Sequence, residues 1–284
     1  MLTLLESIKL STEFLTNKGI ESPRINAELM LAKILNCKRL DLYLSFDRPL
    51  NEEEINLYRE FIRRRSKFEP LQYILGSVEF YGLEFKVDKS VLIPRPETEI
   101  LVETILNSVE KDSALNILDI GTGSGIIAIC LAKNLRASSI SATDISDSAL
   151  VIAKENAELN GVEKQINFKN FDIVTNEGYP GNQFDIVVSN PPYISSEEYQ
   201  NLAPELKLYE PQIALTDNFD GLNFYRTITG KSKTLLKKGG KLFFELGQGQ
   251  SYKVSDIIQQ GNFSNIVIKK DYQNIDRVIS GELI

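Results

Sequence analysis

From Asn116 to the end of the chain, short apolar runs alternate with helical patterns, and this rhythm restricts the fold more than any other feature. The runs fall at residues 117–120, 139–143, 166–171, 184–189 and 242–246, with helical stretches at 126–135 and 148–159. Strands that alternate with helices form a parallel sheet, because each helix must bury its apolar stripe on one sheet face. Crossovers between parallel neighbours are right-handed. The expectation is an α/β fold with a doubly wound, mostly parallel sheet. The last two runs, 263–268 and 277–279, have no long helix between them and should close the sheet as an antiparallel pair.

The first 69 residues follow a different period. Leu4, Leu5, Ile8, Phe14 and Leu15 form one apolar helical set, and Ala27, Leu29, Met30, Ala32, Ile34 and Leu35 another. Ser22-Pro23 has the form of a helix start, with Ser as cap and Pro in the first turn. Asn51 is placed to cap a third helix that opens with Glu52, Glu53 and Glu54. Alternation around Gly82, in Val78-Glu79-Phe80-Tyr81-Gly82-Leu83-Glu84-Phe85, reads as a β-hairpin. Three parts are therefore expected: a small helical bundle over 1–69, a hairpin linker over 70–95 and an α/β domain over 96–284.

Composition removes several kinds of chemistry. The chain of 284 residues contains no histidine, which excludes a Ser-His-Asp triad, a histidine base and any His-containing zinc site. Cys37 and Cys130 lie in different expected domains within apolar helical patterns, and read as two reduced thiols. No apolar run reaches the ~20 residues that span a bilayer. The N-terminus Met1-Leu2-Thr3-Leu4-Leu5-Glu6 lacks the basic start and long apolar core of a signal peptide, so a cytoplasmic protein is expected. The net charge of −7 does not suggest nucleic-acid binding. Arg63-Arg64-Arg65, followed by Lys67, is the densest basic run. It reads either as a solvated helix face or as a patch for an acidic or RNA-associated partner.

Two motifs carry the chemistry. Asn116-Ile117-Leu118-Asp119-Ile120-Gly121-Thr122-Gly123-Ser124-Gly125 is a strand, a glycine-rich turn and the start of a helix. Glycine there allows positive φ and close approach of a ligand to the backbone. Asp144 ends the next strand, where an acid accepts from ribose hydroxyls. A dinucleotide fold uses G-x-G-x-x-G to hold a pyrophosphate at the helix N-terminus. Here the spacing is G-x-G-x-G behind Asp119, whose charge repels a pyrophosphate and favours a cationic ligand such as S-adenosylmethionine. Asp172, after the third strand, is a third acid at the same edge, suited either to an adenine amino group or to a turn.

The second motif is Asn190-Pro191-Pro192-Tyr193, immediately after the buried-strand pattern Phe184-Asp185-Ile186-Val187-Val188-Ser189. Two prolines end the strand, leaving the Asn190 amide and the Tyr193 ring at its carboxyl end. Ligands bind at that edge in open α/β sheets. A side-chain amide both donates and accepts in one plane, and an aromatic ring covers a flat group. Together they suit a planar nitrogen, in a carboxamide or an amino-purine.

With these motifs in hand, the chain resembles the release-factor glutamine methyltransferases (the HemK/PrmC family) over its whole length. The likeness rests on Pro94-Arg95-Pro96-Glu97-Thr98-Glu99, on residues 118–125, on Ala142-Thr143-Asp144, on residues 189–193 and on Asp276-Arg277-Val278, behind a helical N-terminal domain. It departs from that pattern at Ile173, where relatives can carry an aromatic residue beside the adenine. The resemblance implies a class I methyltransferase sheet and transfer of a methyl group from S-adenosylmethionine, with S-adenosylhomocysteine as product. The acceptor it implies is the glutamine side-chain nitrogen in the Gly-Gly-Gln motif of class 1 peptide chain release factors.

Carried residue by residue, it gives Asn190, Pro191 and Tyr193 catalytic roles, with Pro192 also at the substrate. The cofactor would lie against Asp119, Gly121, Thr122, Gly123, Ser124, Gly125, Asp144, Asp172 and Asn190. No metal, membrane or nucleic-acid partner is implied, and a monomer is expected. Glu97 and Glu245 are weaker candidates that serve equally well as caps or turn formers. An adenine-amino methyltransferase is the competing enzyme, but it calls for a basic groove and an inserted recognition region. Fewer than about fifty residues, not basic, separate Tyr193 from the next clear strand. A nucleotide-binding protein without catalysis is the third reading, and the paired glycine and Asn190–Tyr193 loops argue against it.

Overall fold

The structure, a computed structural model, describes residues 2–176, 179 and 183–284. The chain forms two compact units, one of Met1–Ser77 with Ala203–Tyr209 and the other of Val78–Leu202 with Glu210–Ile284.

In the helical unit, α1 (Leu4–Asn17), α2 (Pro23–Ile34), a 3₁₀ turn (Arg39–Leu44), α3 (Glu52–Arg65) and α4 (Leu71–Leu75) enclose Leu4, Ile8, Leu15, Met30, Leu31 and Ile62. Thr3 and Asn51 each close a capping box, with Glu6 and with Glu54, so both long helices start on satisfied N–H groups. Each such cap is worth about 1 kcal/mol. Ser22 does not cap. Its φ of 48° is left-handed and its side chain makes no cap bond. Asn26 instead donates back to the Ser22 and Glu21 carbonyls at 3.0 and 3.1 Å.

The arginine run is neither a bare solvated face nor a free patch. Arg63 pairs with Glu60 and Arg64 with Glu69. Arg65 is buried, donating to Asn26 at 2.6 Å, to the Glu69 carbonyl at 3.0 Å and to Glu205 at 2.5 Å. Glu205 belongs to a short helix met later in the chain, which the Tyr209 hydroxyl also fixes by donating to the Lys67 carbonyl at 2.9 Å.

The second unit begins inside the hairpin of β1 (Ser77–Phe80) and β2 (Leu83–Lys86), at Val78, and continues with α5 (Thr98–Asn107), β3 (Asn116–Ile120), α6 (Ile126–Asn134), β4 (Ser139–Asp144), α7 (Asp147–Leu159), β5 (Ile166–Asn170) and β6 (Phe184–Ser189). Short helices follow: α8 (Ser196–Gln200), α9 (Pro204–Tyr209, which counts with the helical unit) and α10 (Gln212–Leu215). The chain closes with α11 (Asn223–Leu235), β7 (Leu236–Glu245), α12 (Ser251–Gln260), β8 (Phe263–Lys270) and β9 (Asp276–Leu283).

The seven-stranded sheet has the order β5-β4-β3-β6-β7-β9-β8. β5, β4, β3, β6 and β7 are parallel, while β9 pairs antiparallel with both β7 and β8, as the missing crossover helix required. Successive side chains enter opposite layers. Ile117, Ile186 and Phe243 pack with α5 and α6, and Leu118, Val187 and Phe244 with α11 and α12. β7 starts at Leu236, earlier than the apolar run at 242–246 suggests, and the β6–β7 register shifts between Phe184 and Ile186. Gly239, at φ 76°, lies within this polar, glycine-containing start of the strand.

The order reverses about β3, which is flanked by β4 and β6. That switch point leaves a crevice at the carboxyl ends of the strands.

Candidate functional site

The crevice is a cavity of about 260 Å³ lined by residues that follow β3, β4, β5 and β6. After Ile120 the chain turns through Gly121 (φ 74°), Thr122, Gly123 (φ 55°), Ser124 and Gly125 (φ 84°). The Gly121 and Thr122 amides donate to the Thr143 carbonyl at 2.8 and 2.9 Å, which ties the turn to β4. Gly121 and Gly123 line the cavity, and a Cβ on either would meet open space, so the backbone itself is presented to a ligand. Gly125 serves packing instead. A Cβ there would lie 3.2 Å from Ala153 Cβ, so its small size lets α6 and α7 pack together.

The three acids differ in position. Asp144 lines the cavity, with Oδ2 accepting from the Gly123 amide and Oδ1 from the Ser146 amide, both at 2.9 Å. Burial pushes its pKa up. Asp172 also lines the cavity, but its oxygens accept from the Val174 amide at 2.8 Å and the Thr175 hydroxyl at 2.7 Å, as in an Asx turn. Asp119 is fully buried beneath the turn and is not part of the cavity wall. Its Oδ2 accepts from the Thr122 hydroxyl at 2.7 Å, so Thr122 points inward and buried Ser124 also stays off the wall. Asp119 Oδ1 has no well-formed hydrogen bond among the described residues, although the nearby Ala128 amide favours its charge.

After β6, Asn190, Pro191 and Pro192 also line the cavity. Phe171, Ile173 and Phe224 supply apolar surface to the same cavity. Behind the wall runs a polar chain. Asn190 Nδ2 donates to the Thr98 hydroxyl at 3.3 Å, which donates to Glu245 Oε2 at 2.7 Å, and the Tyr193 hydroxyl donates to Glu245 Oε1 at 3.4 Å. The Tyr193 ring packs into the apolar layer with α11 and α12, off the cavity wall. Its carbonyl accepts from Gln250 Nε2 at 2.8 Å. The Pro94-Arg95-Pro96 turn is held by Glu210, which accepts from Arg95 at 2.5 Å and from the Ile93 amide at 3.3 Å.

Comparison with known proteins gives this arrangement a family. A chain named release factor glutamine methyltransferase in Fusobacterium nucleatum is 48% identical over 218 residues, 77% of this chain and 61% of that one. Its namesake in Clostridium acetobutylicum is 42% identical over 218 residues, 77% of this chain and 76% of that one. This chain belongs to the release factor glutamine methyltransferase family. The family model described as "PrmC N-terminal domain" matches residues 6–76, and that described as "Ribosomal protein L11 methyltransferase (PrmA)" matches 96–207. The α/β unit is that of a class I methyltransferase. A methyltransferase from Pyrococcus furiosus superimposes with a TM-score of 0.51 at 17% identity, covering 71% of this chain and 89% of that one.

Several structural members of this methyltransferase site carry no motif signal in the sequence. Gly221, at φ 78°, has its Cβ position 2.4 Å from the Tyr193 carbonyl. Asp217 holds that glycine turn by accepting from the Phe219, Gly221 and Asn223 amides. Gly221→Ala forces the Tyr193 backbone to move and places a Cβ in the left-handed region, at a combined cost of about 2–4 kcal/mol. Thermal unfolding should show a Tm lower by about 5 °C or more. An unchanged Tm would show that the loop has room to spare.

Asp119 makes the stability pH-dependent. Burial pushes its pKa up to about 7 from 3.8. The folded state therefore keeps a proton that the unfolded chain has released. This contribution is full below the unfolded value and is lost as pH rises through about 7. Asp119→Asn removes the titration, so the Tm of the variant relative to the parent should be higher at about pH 8 than at about pH 5. An equal difference at both pH values contradicts the assignment.

Proposed function

We propose that the chain transfers the methyl group of S-adenosylmethionine to the side-chain nitrogen N5 of the glutamine in the Gly-Gly-Gln motif of class 1 peptide chain release factors, modulating translation termination in the cytoplasm. The observation that carries this reading is the position of Asn190, which lines the same cavity as the glycine turn and has its amide nitrogen taken by Thr98. That leaves Asn190 Oδ1 as the atom that meets an incoming N–H.

The residues present fit the cofactor. Gly121 and Gly123 face open space, Asp144 stands at the same wall as an acceptor for ribose hydroxyls, and Phe171 and Ile173 provide apolar surface for a base. Asp172, between Phe171 and Ile173 in the chain, would accept from such a base, and Asp119, Thr122, Ser124 and Gly125 act from beneath by holding the turn's shape. When bound, S-adenosylmethionine supplies an electrophilic methyl carbon attached to a positively charged sulfur.

Asn190 Oδ1 and the Pro191 carbonyl accept the two amide hydrogens of the glutamine, and so aim its nitrogen into the cavity. Pro192 and Tyr193 fix the turn that presents those two acceptors. An amide nitrogen is a weak nucleophile because its lone pair is delocalised, so alignment matters most. Holding the reacting atoms ~3–3.5 Å apart is worth ~7–11 kcal/mol. The same two acceptors stabilise the positive charge that develops on nitrogen. The methylated amide is strongly acidic and releases its proton to water, so the chain's lack of histidine is no obstacle.

A helical domain over 1–69 docks the release factor, and residues 70–95 join it to a methyltransferase domain over 96–284. Transfer of labelled methyl should be measured for a monomeric preparation with three acceptors: unmethylated release factor, ribosomal protein L11 and an adenine-containing oligonucleotide. Label on the release factor alone supports the reading. Label on either other acceptor, with none on the release factor, overturns its substrate.

A further inference from the structure

We propose that Glu245, which lies outside the cavity, sets the direction in which the Asn190 side-chain amide points, acting through the Thr98 hydroxyl. This deepens the amide-transfer reading above and rests on it for its catalytic consequence, though the geometry itself does not depend on the substrate.

Ser189 and Phe244 are register partners on neighbouring parallel strands, so Asn190 and Glu245 leave the sheet side by side. Glu245 and Thr98 are 1% and 0% exposed, so water does not compete for their hydrogen bonds. An ionised carboxylate only accepts, and a hydroxyl carries one proton. With Glu245 charged, the Thr98 proton is committed to Oε2 at 2.7 Å. Thr98 Oγ1 can then only accept from Asn190, which must present Nδ2 to it and turn Oδ1 the other way. Once Glu245 is protonated, it can donate to Thr98. The freed hydroxyl can then donate to Asn190 Oδ1, which favours the flipped amide. A flipped Asn190 offers two N–H groups to a glutamine N–H and cannot accept from it. The other oxygen of the same carboxylate receives the Tyr193 hydroxyl, so Glu245 governs both ends of the loop.

Burial pushes the Glu245 pKa up to about 7, against the lowering effects of Thr98, Arg277 and Tyr193. The groups around it come from every neighbouring element. Glu97 precedes α5 and opposes its charge, Arg277 on β9 favours it, and Arg95 acts on Tyr193. Tyr225 on α11 donates to the Glu245 carbonyl at 2.9 Å. The carboxyl therefore changes charge near neutral pH, and its charged form is the one that holds Asn190 in the accepting orientation.

The direct test is NMR of the protein with ¹⁵N-labelled asparagine and no substrate, the Asn190 side-chain pair being identified by its loss in Asn190→Ala. Between about pH 5.5 and about pH 8.5 that pair should shift with a midpoint near 7. The shift should vanish in Glu245→Gln, which does not titrate, and in Thr98→Val, which cuts the link. It should return in Thr98→Ser. A pair that does not move, or that moves equally in Thr98→Val, overturns the proposal. Because no acceptor is present, this result stands apart from whether release factors are methylated. In a transfer assay, Thr98→Val should lower kcat about 10-fold or more with unchanged cofactor affinity, and Thr98→Ser should restore it. If release factor accepts no methyl while the Asn190 signals behave as expected, the substrate reading fails and the positioning role stands.

Discussion

Asn190→Ala is expected to lower kcat by about 10²–10³-fold, the loss seen when one preorganised group facing developing charge is removed. On the proposed reading the substitution deletes the acceptor for one glutamine hydrogen; it removes a donor to Thr98 Oγ1, which still donates to Glu245, and leaves the glycine turn and Asp144 untouched. Affinity for S-adenosylhomocysteine should therefore stay within about threefold of the parent's, a difference under 1 kcal/mol. Calorimetry for the product and single-turnover kinetics for transfer separate the two quantities. Retained turnover would remove Asn190 from the chemistry. A collapse of product affinity would make it a cofactor residue first.

The second large effect belongs to Asp144. It faces the cavity and also fixes the Gly123 amide, so alanine removes a charged acceptor and loosens the backbone that faces the ligand. Hydrogen bonds to charged groups contribute about 1.5–3 kcal/mol, which corresponds to about 10–100-fold in dissociation constant. S-adenosylhomocysteine should bind Asp144→Ala weaker by that factor, while transfer at saturating cofactor changes far less because the Asn190 loop is intact. Unchanged affinity would contradict the ribose role.

Much of the second unit was legible because burial on both faces writes continuous apolar runs, as in Ile117-Leu118 and Val187-Val188. The early part of β7 was not, because Lys237, Lys238, Gly239 and Gly240 carry no strand pattern and the pairing there is irregular. Ser22 misled for a local reason: its left-handed backbone turns the side chain away, and Asn26 takes over the work of closing the turn. Arg65 reads with its neighbours as a solvated face or a partner patch, yet burial and three separate acceptors make it an internal tie. Helical spacing was the available signal, since Arg65 follows Tyr58 and Ile62 on the buried face of α3 and Arg63 does not.

The site divides in the same way. Gly121, Gly123, Asp144, Asp172, Pro191 and Pro192 line the cavity because strand ends place them there, which the strand pattern alone foretells. Thr122, Ser124 and Gly125 share the motif but face the interior, since a turn alternates which atoms it shows. Thr98 and Gly221 lie far from Asn190 and Tyr193 in sequence and meet them only through the tertiary fold. Glu245 was suspect from its strand-end position, but Thr98 and Tyr193 reach it only through the tertiary fold.

The most direct measurement is peptide mass spectrometry of an unmethylated class 1 release factor after incubation with the purified protein, with and without S-adenosylmethionine. The expected result is one added methyl on the glutamine of the Gly-Gly-Gln motif, present only with the cofactor and lost with Asn190→Ala. An unmodified glutamine, from protein that binds S-adenosylhomocysteine in the same preparation, would contradict the assignment of release factors as substrate.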